Sequence, residues 1–447
     1  MIPVVTPARM GEIDAAAPES VDVLIERAGA VVARAAAEMM GGRYGRRVVV
    51  LAGPGNNGAD GRAAALRLRR GGVRVRVFSA TDAPETLPPA DLYVDSAFGT
   101  GLSRPYTPPQ RGRPDAPVLA VDIPSGLDGL TGEVLGGPVW AARRTVTFAA
   151  LKPGLLFGSG PVACGKVTVA DIGLSVDSAD AGALYTDDDV EALPDGTGAT
   201  HKWHGAALVV AGSPGMGGAA SLACAAALRS GARMVHLSAP ASAVVASPVE
   251  TVRSEPPLAV DAARFGVCAA GPGLGTDREA AERLVDALAL GLPTVVDADG
   301  LRLLDDPAVA AVLDQRRDGS VPTVLTPHDA ELEALVSARP GPDRIAAARS
   351  AAARLGAVVL LKGGPTVVAD PHGRARIVSS GDARLATAGT GDVLTGMVAG
   401  RLAAFGPERL LDRVAEAAHL HGRAAAAVGG ARLVAGDLVH ALSTVTP

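Results

Sequence analysis

Apolar residues along the 447-residue chain fall into short, nearly continuous runs, separated by longer stretches where small and charged residues alternate at helical spacing. RRVVVLAG (46–53) reads as a buried strand, ADGRAAALRLRRGG (59–72) as a helix ended by Gly71-Gly72, and VRVRVFSA (73–80) as the next strand. DLYVDSAFG (91–99) and PVLAVDIPSG (117–126) are two more strands, each ending in an acid and a glycine-containing loop. RTVTFAA (144–150) and KVTVADIG (166–173) complete the set. Strands separated by helices need crossover connections, so a parallel sheet is expected, with ligands beyond the carboxyl ends of its strands.

Periodicity fades across 175–200, an acidic stretch of small and turn-forming residues, and a second series then begins. It runs through AALVVAGS, the small-residue helix GGAASLACAAALRSG, RMVHLSA, FGVCAAGPGLG, LPTVVDADG, VPTVLTPH, AVVLLKGG and PTVVAD to the helix GTGDVLTGMVAGRLAA. The halves share a class but not their motifs. The expected organisation is two different α/β domains, 1–195 and 196–447, since a single core stops growing well below this length.

Composition narrows the reading. A net charge of −5 carries no basic excess, which argues against nucleic acid as a partner. Of 42 cationic residues only Lys152, Lys166, Lys202 and Lys362 are lysine, which makes each a better candidate for a specific role. Cys164, Cys224 and Cys268 lack C-x-x-C spacing and read as buried thiols of a reducing compartment. The amino terminus has no basic region followed by an apolar run, and no uncharged stretch is long enough to span a bilayer. A cytoplasmic protein without a membrane partner is expected, acting as a homo-oligomer.

Chemistry gathers at the strand ends. In LAGPGNNGADG the glycines Gly53, Gly55 and Gly58 have the G-x-G-x-x-G spacing of a dinucleotide-binding turn, and Asp82 near the end of the next strand could serve as its ribose-binding acid. Backbone amides after Gly55 can cradle phosphate. Asn57, Asp95 and Ser125 offer hard oxygen ligands from three strand ends, a set suited to a cation rather than to hydride transfer. Asp122 stands at a fourth end and Gly99-Thr100-Gly101 adds a flexible loop. Each acid taken singly could equally be a helix cap or a turn former.

AGPGNNGADG, VDSAFGTGL, VDIPSGLDG and TFAALKPGL, in this order over roughly 45–175, resemble the NAD(P)H-hydrate epimerase family. The resemblance implies a Rossmann-like three-layer sandwich. It also implies that Asn56, Asn57, Gly58, Ala59 and Asp60, with Gly99, Thr100, Gly101, Leu102, Ser103, Arg104 and Pro105, contact the hydrated dinucleotide. Asn57, Asp95 and Ser125 would hold potassium, Asp122 would be the acid–base residue, and Lys152 would help to neutralise substrate charge. Ala59 stands where that family usually has glycine.

GTGD (389–392) is the strongest local signal in the second half. Its glycines let backbone approach an anion, and the helix starting there aims amides and a positive dipole end at it. Asp392 beside that hole could take a proton from an attacking hydroxyl, or simply cap the helix. LLKGGPT presents Lys362 and glycines after a strand, suited to nucleotide phosphates; His328 in LTPH reads equally as a satisfied loop histidine. Taken in order, SPGMGGAA, ALRSGA, GPGLG, DADGL, LTPH, LLKGG and AGTGDVLTGM resemble the ADP-dependent NAD(P)H-hydrate dehydratases, which are ribokinase-like. By position, Ala219, Gly273, His328 and, less directly, Gly275 would contact the hydrate. Lys362, Gly363, Gly364, Pro365, Thr366 and Gly391 would bind ADP, with Mg2+ accompanying the nucleotide, and Asp392 would be the base. LTPHDAE departs from the proline and glycine that commonly follow this histidine.

The expected activity is repair of NADHX and NADPHX, by epimerising their R and S forms and dehydrating the S form with ADP. Two rivals are a ribokinase-like kinase for a vitamin precursor or sugar, and a catalytically silent dinucleotide-binding protein.

Overall fold

The structure is a computed structural model that describes residues 1–194 and 201–446. It divides into two compact units, residues 2–183 and the chain from Leu184 onward. The boundary expected after residue 195 lies outside the described residues, but the stretch before it sides with the second unit. Tyr185 is buried in that unit's core, with its N–H donating to the Ile377 carbonyl at 2.9 Å. Glu191 donates its N–H to Glu416 Oε1 and accepts Arg401 Nη2 on its carbonyl, both at 2.6 Å. An acidic, aperiodic segment resembles a linker because its partners are distant in sequence.

The first unit opens with helices α1 (Pro7–Ala15) and α2 (Val21–Met40). The strands β1 (Arg47–Ala52), β2 (Arg74–Ser79), β3 (Leu92–Ser96), β4 (Val118–Val121), β5 (Arg144–Phe148) and β6 (Lys166–Ala170) form one sheet, and α3 (Asn56–Arg70) follows β1. All neighbours pair in parallel, in the order β2-β1-β3-β4-β5-β6. Both faces are buried with a period of two: Val48, Val50, Leu92, Val94, Leu119 and Val121 pack under α2 and α3, while Val49, Leu51, Tyr93, Val118 and Ala120 face the other way. That second face is covered by a short two-stranded ribbon carrying Leu87 and by loops carrying Ala116 and Trp140, rather than by a helix. The strand order reverses between β1 and β3, so the crevice of this unit opens at their carboxyl ends.

In the second unit β7 (Ala206–Val210) leads through α4 (Gly217–Arg229) to β8 (Met234–Ser238) and β9 (Val252–Ser254). Then come β10 (Val267–Ala270), α5 (Arg278–Ala289), β11 (Thr294–Val296), β12 (Thr323–Leu325), α6 (Asp329–Val336), β13 (Val358–Leu361), β14 (Thr366–Ala369) and β15 (Ala375–Val378), before α7 (Thr390–Phe405) and α8 (Leu410–Ala427). Among these strands the sheet order is β15-β14-β13-β12-β11-β10-β7-β8-β9, parallel except where β14 pairs β13 and β15. Its order reverses between β7 and β10, which places SPGMGG and GPGLG side by side. The glycine and alanine content finds its use in α4 and α7. A Cβ on Gly396 would sit 2.2 Å from the Ala223 carbonyl oxygen, and one on Gly400 2.5 Å from that of Ala227. The two backbones can therefore lie almost in contact, which fixes the helix that begins with GTGD.

Candidate active sites

In the first unit the glycines of the β1 turn are steric necessities. A Cβ at Gly53 would lie 1.7 Å from the Ala97 carbonyl oxygen, and one at Gly58 1.9 Å from that of Gly53. The turn is therefore pressed against the end of β3, and Gly55, with nothing within 4 Å of its notional Cβ, is left facing open space. The helix starts at Asn56, three residues before the expected Ala59, with Gly55 in extended conformation before it. Asn56 and Asn57 thus occupy its first turn, where amides point outward without intrahelical partners.

Asp122 is the centre of the crevice. Its backbone has φ +66°, a left-handed conformation that aspartate tolerates better than most residues. Its Oδ1 accepts Lys152 Nζ at 2.7 Å and the Thr147 hydroxyl at 3.0 Å, and its Oδ2 accepts the Thr100 N–H at 3.3 Å. Lys152 is itself 1% exposed and also donates to Thr147 Oγ1 and the Phe148 carbonyl. Burial alone would raise the Asp122 pKa, but the Lys152 charge and these hydrogen bonds outweigh it, and the carboxyl is held below its ordinary range. Gly99 completes the approach, since a Cβ there would stand 3.0 Å from Asp122 Oδ2 and 3.5 Å from Asn57 Cβ.

Asn56, Asn57, Asp60, Thr100, Asp122 and Lys152 line one cavity of about 130 Å3. Ala59 is not among its lining residues. Of the 99–105 loop, only Gly99 and Thr100 reach this cluster. Gly101 and Ser103 are exposed, and Leu102 is turned inward at 7% exposure. Arg104 lies over the Phe98 ring, and Pro105 packs by Gly136.

The proposed potassium ligands are partly joined. Asp95 Oδ1 accepts the Ser125 hydroxyl at 2.6 Å and its Oδ2 the Ser125 N–H at 2.8 Å; the Ser125 hydroxyl in turn accepts the Phe98 N–H at 2.9 Å. Both polar atoms of the Asn57 side chain are buried with no partner among the described residues, as is the Tyr106 hydroxyl. A buried amide without partners costs free energy unless a ligand completes it, so the donor set fits a cation coordinated by oxygen.

In the second unit Ala219, in the first turn of α4, meets the GPGLG turn: a Cβ on Gly273 would be 3.1 Å from Ala219 Cβ. Gly275 donates its N–H to Asp299 Oδ2 at 3.0 Å. The buried Arg283 of α5 fixes the adjoining loop by donating to the carbonyls of Gly212, Ala211 and Ser238 at 2.9, 3.1 and 3.2 Å. Lys362, after β13, places Nζ 2.9 Å from Asp297 Oδ1 and 3.6 Å from Glu331 Oε2. Burial opposes its charge, yet those two carboxylates prevail and raise its pKa. Thr395 donates to the other Asp297 oxygen at 2.6 Å, and a Cβ on Gly391 would lie 3.7 Å from both Asp297 Oδ2 and Lys362 Nζ.

Asp392 follows in the first turn of α7. Burial, reinforced by Asp297 and opposed by Lys362, pushes its carboxyl up to about 6. Its turn is braced from below: the buried His421 of α8 has Nε2 3.0 Å from the Thr390 carbonyl oxygen. Arg344 braces the other side, donating to the Lys362 carbonyl at 2.9 Å beside Gly363. Gly363 and Gly364 are exposed, Pro365 is buried, and the Thr366 hydroxyl closes the loop on the Gly363 carbonyl at 3.0 Å. His328 caps α6, its Nδ1 accepting the Ala330 and Glu331 N–H groups at 3.1 and 3.2 Å, so half of the ring is committed to structure.

Sequence reasoning passed over Asp14, Arg283, Asp297, Thr395 and His421. The DADG run after an apolar strand was the signal that could have found Asp297. Arg283 and His421 sit within helices and carry no local signal.

These features define a class: a Rossmann-like unit joined to a ribokinase-like unit, each with charged groups at its switch point. Comparison with known proteins narrows it. Residues 207–447 match the family described as NAD(P)H-hydrate dehydratase, and residues 21–86 and 78–154 match the YjeF-related protein N-terminus. The bifunctional NAD(P)H-hydrate repair enzyme Nnr of Mycobacterium leprae is 38% identical over 438 residues, covering 90% of this chain and 89% of its own. The enzyme of the same name from Gloeobacter violaceus is 36% identical over 442 residues, covering 87% and 86%. Among solved structures, Bacillus subtilis YxkO superposes with a TM-score of 0.50 at 27% identity, covering 59% of this chain and 98% of that one. A ribokinase-like superfamily protein of Enterococcus faecalis, at 22% identity and a TM-score of 0.50, shares the fold. The chain belongs to the family of bifunctional NAD(P)H-hydrate repair enzymes.

Proposed function

We propose that the first unit interconverts the R and S 6-hydroxy hydrates of NADH and NADPH. The second phosphorylates the S hydroxyl with ADP as donor, and loss of phosphate restores the reduced nicotinamide. The observation that carries this reading is the placement of Asp392. A carboxylate poised near neutral pH stands at the amino end of α7, beside Lys362 and the open Gly363-Gly364 turn. Lys362, the 363–366 turn and Gly391 hold the nucleotide phosphates, Mg2+ accompanying them as in phosphoryl transfer generally. Asp392 removes the proton from the substrate hydroxyl as it attacks the terminal phosphate. Ala219, Gly273, Gly275 and the Nε2 edge of His328 orient the hydrate.

In the first unit Asn56 to Asp60 and Gly99 to Pro105 receive the dinucleotide, and Asp122, kept ionised by Lys152, works at the reacting carbon. Asn57, Asp95 and Ser125 would hold potassium, which supplies fixed positive charge near the substrate's phosphates. No helix among the described residues is long and apolar enough to cross a membrane.

The test is to incubate the protein with mixed NADH hydrate epimers, with and without ADP, and follow absorbance of reduced nicotinamide. Full recovery of both epimers with ADP is expected. Phosphorylation of some other small molecule, with no return of absorbance, would assign the second unit to a different kinase activity.

A further inference from the structure

Besides Asp122, the cavity in the first unit holds a carboxyl group, that of Asp60, which the reading above uses only for binding. Asp60 reaches it from the second turn of α3, at 8% exposure, and makes no hydrogen bond or ion pair among the described residues. Asp122 enters from the end of β4 with Lys152 beside it, Asp14 from α1, and α2 contributes only apolar side chains such as Leu24, Ile25 and Ala28. The volume of about 130 Å3 is close to the ~150 Å3 that accommodates one benzene ring. A single six-membered ring therefore fills it, with carboxyl groups from three different elements around it.

We propose that Asp60 is a catalytic residue of the epimerisation, the acid that protonates the departing hydroxyl, while Asp122 is the base that takes the proton of the incoming water. This deepens the epimerase assignment and rests on it. The two carboxyls have opposite electrostatic surroundings. Asp122 is paired with an ammonium and stays ionised. Burial, reinforced by the charges of Asp122 and Asp14, pushes Asp60 up to about 8, so it carries its proton at neutral pH. A pair of titratable groups driven apart by their surroundings is how one pocket performs acid and base chemistry together.

The hydroxyl of the hydrate sits on the carbon bonded to the ring nitrogen, so the chemistry balances without a redox partner. Asp60 transfers its proton to that hydroxyl. The carbon–oxygen bond breaks with its electron pair leaving on water, and the nitrogen lone pair forms a carbon–nitrogen double bond. Water then adds to the opposite face, the nitrogen recovers its lone pair, and the surplus proton goes to Asp122. Proton exchange with solvent returns Asp60 to the acid and Asp122 to the carboxylate.

The experiment measures R-to-S conversion by chromatography without ADP, against pH, for the parent, Asp60→Asn and Asp60→Glu, with spontaneous epimerisation subtracted. The parent's kcat should fall as pH rises through about 8, where the acid loses its proton. Asp60→Asn should lower kcat by about 10²–10⁴-fold with KM changed only a few-fold, and should lack that limb. Asp60→Glu should recover part of the loss. If the parent epimerises but Asp60→Asn keeps its kcat, changes only KM, or does no worse than Asp60→Glu, Asp60 is a binding residue and the proposal falls alone. If the parent does not epimerise, the epimerase assignment falls with it.

Discussion

The two crevices arise from the same topological device and treat their central aspartates in opposite ways. In the first unit Asp122 is locked to a lysine that is 1% exposed, and its pKa is held down. In the second, Lys362 gives its closest contact to Asp297, at 2.9 Å, and Asp392 is left with burial and a neighbouring negative charge, at about 6. A lysine near an aspartate is thus not one motif. What matters is which carboxylate receives the ammonium directly. A carboxylate kept ionised suits a site that must meet a cationic ring or an incoming water. One poised near neutrality suits proton removal during phosphoryl transfer.

The sharpest attempt to break this contrast is Asp392→Asn. It should fold, bind ADP and epimerise normally, while ADP-dependent recovery of NADH from the S hydrate drops about 10²–10⁴-fold. Near-normal turnover would reduce Asp392 to a helix cap. Next in size is Lys152→Met, which strands the Asp122 carboxylate without its partner. Breaking a buried pair on one side typically costs about 3–5 kcal/mol, to be read as destabilisation of the first unit in denaturant titration. An unchanged midpoint would mean that the pair does not hold Asp122.

Lys362→Met should weaken ADP binding by about 10–100-fold, the worth of a charge-assisted hydrogen bond to phosphate, measured by calorimetric titration. Unchanged affinity would place the phosphates elsewhere. The smallest effect is a pH dependence. Because the Asp392 pKa is raised, the carboxyl is protonated, and unable to accept a proton, over a wider acid range. Dehydratase kcat/KM should be level above about pH 6 and fall roughly tenfold per unit below it. A profile flat down to pH 4 would remove the contrast between the two aspartates.

Much was legible from residue order alone. Apolar runs flanked by glycine turns marked the strands of both sheets, and the strand-end motifs lay where a parallel sheet puts its ligands. The short strands β9 and β15 were not read, since VRS and ARIV each carry an arginine and offer no continuous apolar run. The start of α3 was placed late because NNG has poor helix propensity; packing of the β1 turn against Ala97 overrides it. His328 reads two ways in the sequence; in the structure Nδ1 caps α6 and Nε2 lies 3.5 Å from Glu331 Oε1.

The sequence by itself determined the fold class and the chemical identity of the groups at each strand end, because hydrophobic period and glycine placement are local properties. It could not determine which groups share a cavity or how they are charged. Asp14, Asp60, Asp122 and Lys152 are spread over α1, α3 and two loops, and only the sheet order brings them together. Their protonation follows from burial and from the charges they meet there, neither of which exists until the chain has folded.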